Sequence, residues 1–392
     1  MQNFLSDARD LFPYTQEMRR TFHRYPELGF QETQTAQTIA RELQKLSGLE
    51  LQTGIAGTGI TAFLEGDPSG PLILLRFDMD ALPIQEESGE EYASQVEGVM
   101  HACGHDGHMA IGLSTAKLMH DMREELSGNI LFVFQPAEEG LGGAKRMIEA
   151  GILEKHRPDV VMALHLWNEK PIGWFGISDG PMMAASEIFN VRIVGKGGHG
   201  ANPHEAVDPI LAASHVVTGL QSIVSRELSP LDTAVITVGS FHGGRAHNVI
   251  PSEVSLEGTI RSFNPRSRQY VLERFEEIVS GIAESHGCWV EIDVEEISPA
   301  VVNDPDIADH VRNVAQQLFP ELTIDRSYKT MTSEDMALMM EGYKSCYVLI
   351  GSANDALGLN AKHHHPEFDF DERAMIHGTA LISAAANFLL DR

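Results

Sequence analysis

Apolar residues recur at helical spacing near the start of the chain. Phe4, Leu5, Ala8, Leu11, Phe12, Met18 and Phe22 alternate with charge, which predicts an amphipathic helix over 4–22 with an interruption at Pro13. A turn follows at 23–30, and a second helix over 33–46 is marked by Ala36, Ile39, Ala40, Leu43 and Leu46. Residues 60–64 and 72–77 read as strands. The second is largely apolar, as expected of a strand buried on both faces, and it ends in D-M-D (Asp78, Asp80) and then A-L-P. A polar loop over 86–98 leads to M-H-A-C-G-H-D-G-H-M at 100–109, which opens a helix with Ile111, Leu113, Ala116, Leu118 and Met119 apolar. The strand at 129–134 runs into Q-P-A-E-E-G, a helix covers 142–150, and the strand at 160–165 ends in His165. Strands alternating with helices imply a mostly parallel sheet. Open sheets of this kind gather chemistry at the carboxyl ends of their strands. Here those ends carry Asp78 and Asp80, Glu138 and Glu139, and His165.

The pattern changes near 186. A half-buried alternating strand at 188–194, a helix at 209–227, strands at 233–241 and 253–261, a helix at 267–286 and a strand at 289–294 read β-α-β-β-α-β. That is the split pattern of a ferredoxin-like α+β domain of roughly a hundred residues, whose open sheet suits pairing with a second copy. Strand–helix units resume at 298, with helices at 306–319 and 333–341, a strand at 345–350 and a last helix at 373–390. The expected organisation is a discontinuous domain, 1–185 with 298–392, into which 186–297 is inserted.

Composition narrows the partners. The 392 residues include 29 Lys plus Arg against 56 Asp plus Glu, a net charge of -27. That excludes nucleic acid and anionic membrane as partners of a basic face, and leaves a small substrate open. At 43% hydrophobic residues the chain can build a large core. The first ten residues do not read as a secretory signal, and no apolar run reaches the ~18 residues of a membrane span. The three cysteines, Cys103, Cys288 and Cys346, are odd in number and far apart, which fits a reducing compartment and a cytoplasmic protein.

Against that background the 100–109 stretch stands out. A helix start favours thiolates, and Cys103 and His105 can reach one ion from a tight turn about Gly104. Candidate ligands are Cys103, His105, Glu138, Glu139, His165 and one functional histidine among His363, His364 and His365. Sulfur, imidazole and carboxylate together suit a borderline divalent ion: Zn²⁺, or Mn²⁺, Co²⁺ or Ni²⁺. Side chains of adjacent residues diverge in an extended segment, so Glu138 and Glu139 divide naturally into one ligand and one general base for a water the metal activates. Six ligands exceed one tetrahedral ion and suit two ions sharing a bridge, for which Cys103 is the thiol at hand. In the inserted domain, His199 (G-G-H-G), Asn248 (H-N-V-I-P) and Arg261 (G-T-I-R) are placed to face a cleft, and Arg261 could bind a carboxylate bidentately. Taken singly, the paired glutamates are an ordinary acidic helix start and Arg261 an ordinary surface arginine; their convergence is what argues for chemistry. Two other readings stand beside the metal hydrolase: a thiol hydrolase with Cys103 as nucleophile and His105 or His101 as base, and a non-catalytic metal-binding or sensor protein.

The ordered motifs H-R-Y-P-E-L-G-F, L-R-F-D-M-D-A-L-P, M-H-A-C-G-H-D-G-H, F-V-F-Q-P-A-E-E-G, G-G-H-G-A-N-P-H, H-N-V-I-P, G-T-I-R, S-E-D and H-H-P-E-F-D-F-D-E run nearly end to end. With them the chain resembles the metal-dependent aminoacylase and carboxypeptidase superfamily, in its N-acyl-amino-acid amidohydrolase branch. That branch holds hippurate hydrolases, auxin-conjugate hydrolases and N-acetyl-diaminopimelate deacetylases. The resemblance implies a zinc-peptidase-like α/β catalytic domain with an inserted lid or dimerisation domain, a homodimer, and two divalent ions per subunit. It implies Cys103 as bridge, His105 and His165 on one ion, Glu139 and His364 on the other, and Glu138 as general base. His364 matches because the family ligand stands two residues before the proline, here Pro366. Asp80 matches the acid that orients a ligand. Asp78 stands where peptidase relatives carry a ligand histidine, which points away from ordinary dipeptidase or carboxypeptidase activity. His199 matches a lid histidine that reaches a neighbouring subunit's site, and Asn248 and Arg261 match substrate-binding positions. The implied reaction is hydrolysis of an N-acyl amino acid to a carboxylic acid and a free amino acid.

Overall fold

The computed structural model describes residues 3–392; Met1 and Gln2, the first residues of the stretch read as no secretory signal, lie outside them. The chain divides into two compact units, each with its own apolar core. The first takes in the chain up to Gly180, then Val302–Lys329 and Asp335–Arg392; the second comprises Pro181–Val301 and Thr330–Glu334.

The first unit is built on an eight-stranded sheet in the order Leu49–Ile55, Gly59–Leu64, Asn129–Gln135, Leu72–Asp78, Val160–Pro171, Lys344–Ala353, Trp174–Gly176, Thr323–Asp325. The four central strands, from Asn129–Gln135 to Lys344–Ala353, run parallel. Antiparallel pairs flank them on both sides. Leu72–Asp78 and Asn129–Gln135 are buried at every position, as strands covered on both faces must be. From Leu72–Asp78 the chain passes through helix His105–Asp121 into Asn129–Gln135 on one side, then returns to Val160–Pro171 on the other. That reversal opens a crevice at the carboxyl ends of these three strands.

Helix Phe4–Arg24 runs unbroken through Pro13, where an interruption was expected. Pro13 and Arg9 are both exposed, so the Arg9 carbonyl that Pro13 cannot serve is open to water. The strand Leu49–Ile55 was not anticipated. It is an edge strand whose Gln52, Thr53 and Gly54 are exposed, so it shows no apolar run. Among the described residues no helix is long and apolar enough to cross a membrane.

The second unit holds a four-stranded antiparallel sheet in the order Ala234–Gly243, Glu253–Ser262, Ala185–Val194, Trp289–Ser298. Helices Pro209–Ser222 and Pro265–Ser285 pack on it through a core that includes Phe189, Val216, Ile260 and Phe275. Asp208 and Asn264 cap the two helices with their side chains, each followed by a proline in the first turn. The first of these helices ends at Ser222 and gives way to a wider turn over Ile223–Glu227, whereas the apolar pattern had suggested one helix to 227. Element order and strand order together make this a ferredoxin-like α+β unit.

Candidate active site

The crevice of the first unit is framed by a buried ion-pair network. Arg76, in the middle of an apolar strand, is 1% exposed. It donates to Asp78 Oδ2 (2.7 Å), Gln135 Oε1 (2.8 Å) and Asp335 Oδ1 (3.0 Å). Asp335 also accepts from Gln135 Nε2 (2.8 Å) and the Ala144 amide (2.9 Å), so it locks the end of the Asn129–Gln135 strand. Beyond that strand the chain turns sharply. Ala137 has a left-handed φ of 54°, and its amide donates to Glu32 Oε1 at 2.9 Å. A Cβ on Gly143 would lie 1.7 Å from the Pro136 carbonyl oxygen, so only glycine fits there. This turn presents Glu138 and Glu139.

Cys103 and His105 sit where Gly104, at φ 94°, ends the loop and caps helix His105–Asp121. His105 Nδ1 donates to the Asp80 carbonyl (2.9 Å), and His165 Nδ1 donates to the Leu166 carbonyl (2.7 Å). A carbonyl only accepts, so in each neutral ring Nε2 carries the lone pair. His165 Nε2 lies 3.5 Å from Cys103 Sγ, and His105 Nε2 is buried without a hydrogen-bond partner. Asp80 Oδ2 accepts from the Glu139 amide at 3.0 Å, so Asp80 touches both His105 and Glu139. Glu139 Oε1 is 3.2 Å from His364 Nε2 yet makes no hydrogen bond. His364, at a left-handed φ of 64°, donates its amide to the Ala102 carbonyl (2.8 Å), which sets it beside the Cys103 turn.

Two triads of ligand atoms result, Cys103–His105–His165 and Cys103–Glu139–His364, each with its atoms within 4.8 Å of one another. They share the sulfur. A further cluster, His105–Glu138–Glu139, brings Glu138 into the same space, where its Oε1 accepts from the Asp335 amide at 3.4 Å. Orphaned buried atoms on His105 and Glu139, a shared thiol and two imidazoles with lone pairs aimed inward fit a pair of divalent ions. Asp78 is otherwise engaged: Oδ1 accepts from His108 Nδ1 (2.6 Å) and Oδ2 from Arg76. His108 Nε2 in turn accepts the Leu166 amide (2.9 Å), which braces the strand segment carrying His165.

The electrostatics follow from this crowding. Burial, aided by Glu139, pushes the Cys103 thiol up. Burial keeps His165 neutral. Burial works to lower His105, but Asp78 and Cys103 outweigh it and raise it. His364 is raised to about 10 by Cys103 and Glu139 beside it.

The sequence singled out Cys103, His105, Glu138, Glu139, His165, His364 and Asp80, and the first unit brings them together. His199, Asn248 and Arg261 belong to the second unit. His199 is exposed on a short ribbon, Gly198–His199 paired with Val249–Ile250, and with His242 and Arg245 it lines a cavity of about 1050 Å³. The Asn248 carbonyl accepts the Gly200 amide (2.8 Å). Arg261 Nη1 donates to Ser333 Oγ (2.7 Å), and burial pulls its guanidinium below the usual arginine range against the charge of Glu187. Sequence reasoning missed Arg76, Glu32, Asp335 and His108. A lone arginine in an apolar strand was the available signal, since a buried charge requires partners.

Comparison with known proteins agrees with this geometry. The model of peptidase family M20/M25/M40 matches residues 74–387, and the chain belongs to that family. It is 42% identical over 371 residues to the putative amidohydrolase YhaA of Bacillus subtilis, covering 94% of this chain and 93% of that protein. It is 48% identical over 274 residues to an N-acyl-L-amino acid amidohydrolase of Geobacillus stearothermophilus, covering 70% and 73%. Among solved structures it resembles the YXEP protein of Bacillus subtilis, described as a dinuclear metal binding peptidase of the M20 family. The TM-score is 0.85 at 33% identity, covering 98% of this chain and 99% of the other. The protein is a metal-dependent amidohydrolase by family.

Proposed function

We propose that this enzyme hydrolyses the amide bond of an N-acyl amino acid to a carboxylic acid and a free amino acid, using two divalent ions. The observation that carries the reading is the pair of triads sharing Cys103 Sγ, with Glu138 beside them. Relatives named for N-acyl amino acid hydrolysis and for dinuclear metal binding support it. Cys103, His105 and His165 would hold one ion, and Cys103, Glu139 and His364 would hold the other. When bound, the ions supply Lewis acidity to the substrate carbonyl and lower the pKa of the attacking water. Glu138 takes the proton of that water and passes it to the leaving amine nitrogen. Asp80 fixes His105 through its carbonyl and Glu139 through Oδ2. His199 donates to the developing oxyanion, and Arg261 with Asn248 holds the substrate carboxylate. The ions are Zn²⁺, Mn²⁺, Co²⁺ or Ni²⁺, and the protein acts as a homodimer through its second unit. Cys103, Cys288 and Cys346 are all free thiols, which suits the cytoplasm.

The thiol-hydrolase alternative is weakened by the raised Cys103 thiol. It is weakened further by His101, whose two ring nitrogens are buried without hydrogen-bond partners and so do not engage the sulfur. The deciding experiment measures hydrolysis of N-acetyl-, N-benzoyl- and indole-acetyl-amino acids before chelation, after it, and after return of Mn²⁺, Zn²⁺ or Co²⁺. Turnover is expected to vanish with the metal and return with it. Turnover indifferent to demonstrated metal removal would overturn the dinuclear reading and bring the Cys103 nucleophile forward.

A further inference from the structure

The three-histidine run holds a second group turned towards the sulfur. His363 packs its ring against Trp167 (centroids 4.9 Å apart) and Phe368 (5.1 Å). Its Nε2 accepts the Asn168 backbone N–H at 3.1 Å. An amide N–H only donates, so Nε2 is unprotonated and the ring's one proton resides on Nδ1. Nδ1 lies 3.9 Å from Cys103 Sγ, within reach of the long hydrogen bonds sulfur accepts. The arrangement is held from both sides. Asn168 follows His165 on the same strand, and its Nδ2 donates to the Ala361 (2.8 Å) and Asp369 (2.9 Å) carbonyls. Its Oδ1 accepts from Ser352 Oγ at 3.0 Å, which fixes the amide orientation. The loop carrying His363 and His364 is therefore clamped to the strand carrying His165.

We infer that His363 is a positioning residue of the metal centre, whose Nδ1–H donates to the bridging sulfur of Cys103 while the adjacent His364 serves as ligand. Only one histidine of the run was expected to matter; this arrangement gives two of them separate tasks. The donor withdraws electron density from the thiolate and fixes the direction of its lone pairs. A sulfur shared by two cations thereby keeps one orientation and is less prone to slide onto a single ion. His363 itself has no lone pair left for an ion, because Asn168 occupies Nε2 and the proton occupies Nδ1. The inference rests on the dinuclear reading proposed above.

The test uses the cobalt-substituted enzyme and reads the thiolate-to-Co²⁺ charge-transfer band in the near ultraviolet. His363→Phe keeps an aromatic ring between Trp167 and Phe368 and removes the N–H. In that variant the band is expected to move to longer wavelength, because a thiolate without its donor gives up an electron more readily. Affinity for Co²⁺ is expected to fall roughly 10-fold, as when a hydrogen-bond partner of a ligand is lost. His363→Asn, whose amide NH₂ can stand near the ring Nδ1, is expected to bring the band back towards the wild-type position. A thiolate band present in the wild type and unmoved in His363→Phe at equal cobalt content overturns the inference alone. If the phenylalanine variant does not fold, His363→Leu makes the same comparison. Absence of any thiolate band in the fully loaded wild type overturns the dinuclear thiolate reading and this inference with it.

Discussion

His105 and His165 each commit the Nδ1 proton to a main-chain carbonyl, and that choice of carbonyl makes them ligand-ready. Both carbonyls lie in or beside the strand ends, so the tautomers are set by the sheet and not by solvent. Glu138 differs from its neighbour in the same way. Glu139 has its amide held by Asp80 and a carboxylate oxygen beside His364, whereas Glu138 lies with His105 and Glu139 and reaches the Asp335 amide. A residue that moves a proton and holds no ion can be neutralised without emptying the site. Glu138→Gln is therefore expected to retain two equivalents of metal by atomic absorption while turnover falls about 10²–10⁴-fold. Near-normal turnover, or loss of the metal, would remove Glu138 from the role of base. The adjacency of two acids after an apolar strand suggests this division already in sequence. What sequence could not supply was the support beneath it. Glu32, whose carboxylate holds the Ala137 amide, stands more than a hundred positions upstream in a polar stretch with no pattern of its own. Asp335 joins the same site from far downstream, and only folding brings either of them near.

At the scale of elements, the first helix ties down the loop that carries Cys103 and His105. Arg19 on Phe4–Arg24 is fully buried and bonds Asp106 (2.7 Å), at the start of the helix that begins with His105, and Asp369 (2.7 Å), just after the 363–365 run. His23, one turn further on, donates to the same Asp106 oxygen at 2.7 Å and reaches Glu86 with its other nitrogen. Asp106 is held far below the usual carboxylate range; burial opposes this, and Arg19 and His23 more than compensate. Removing one member leaves a buried charge without its partner. Arg19→Met is thus expected to cost about 3–5 kcal/mol in urea unfolding. The lost stability should appear with weaker retention of metal, because the two segments Arg19 joins flank Cys103, His105 and His364. A variant as stable as the wild type would mean that the network contributes little. None of this was readable from the helix's periodicity, which identifies an apolar face but treats a charged residue on it as solvent-facing. The strands that end at the site were readable because each is a largely apolar run closed by polar side chains. The edge strand Leu49–Ile55 was not, because one of its faces meets water and glycine interrupts it.

At the scale of the whole molecule, the residues proposed for the reaction are divided between two units of one chain. The proposed metal ligands belong to the first and His199, Asn248 and Arg261 to the second. The β-α-β-β-α-β order of the second unit was legible from alternation and helical spacing, yet nothing in that pattern states whose site it serves. Its sheet ends in the strand Ala234–Gly243, on which Val235 is 37% and Phe241 40% exposed. An open edge with apolar side chains favours pairing between copies. If His199 acts on the neighbouring subunit's substrate, two defects in different chains can be complementary. A chain with His199→Ala keeps an intact metal set, and a chain with Glu138→Ala keeps an intact His199. In the mixed dimer one site joins the two intact halves and the other joins both defects. Random exchange is therefore expected to restore about a quarter of wild-type turnover, since about half the dimers are mixed and each has one good site of two. Each variant alone stays near background. If mixed dimers, verified by differential tagging, have no more activity than the separate variants, His199 acts within its own chain or not at all. Turnover of His199→Ala alone at the wild-type level would remove it from the reaction altogether.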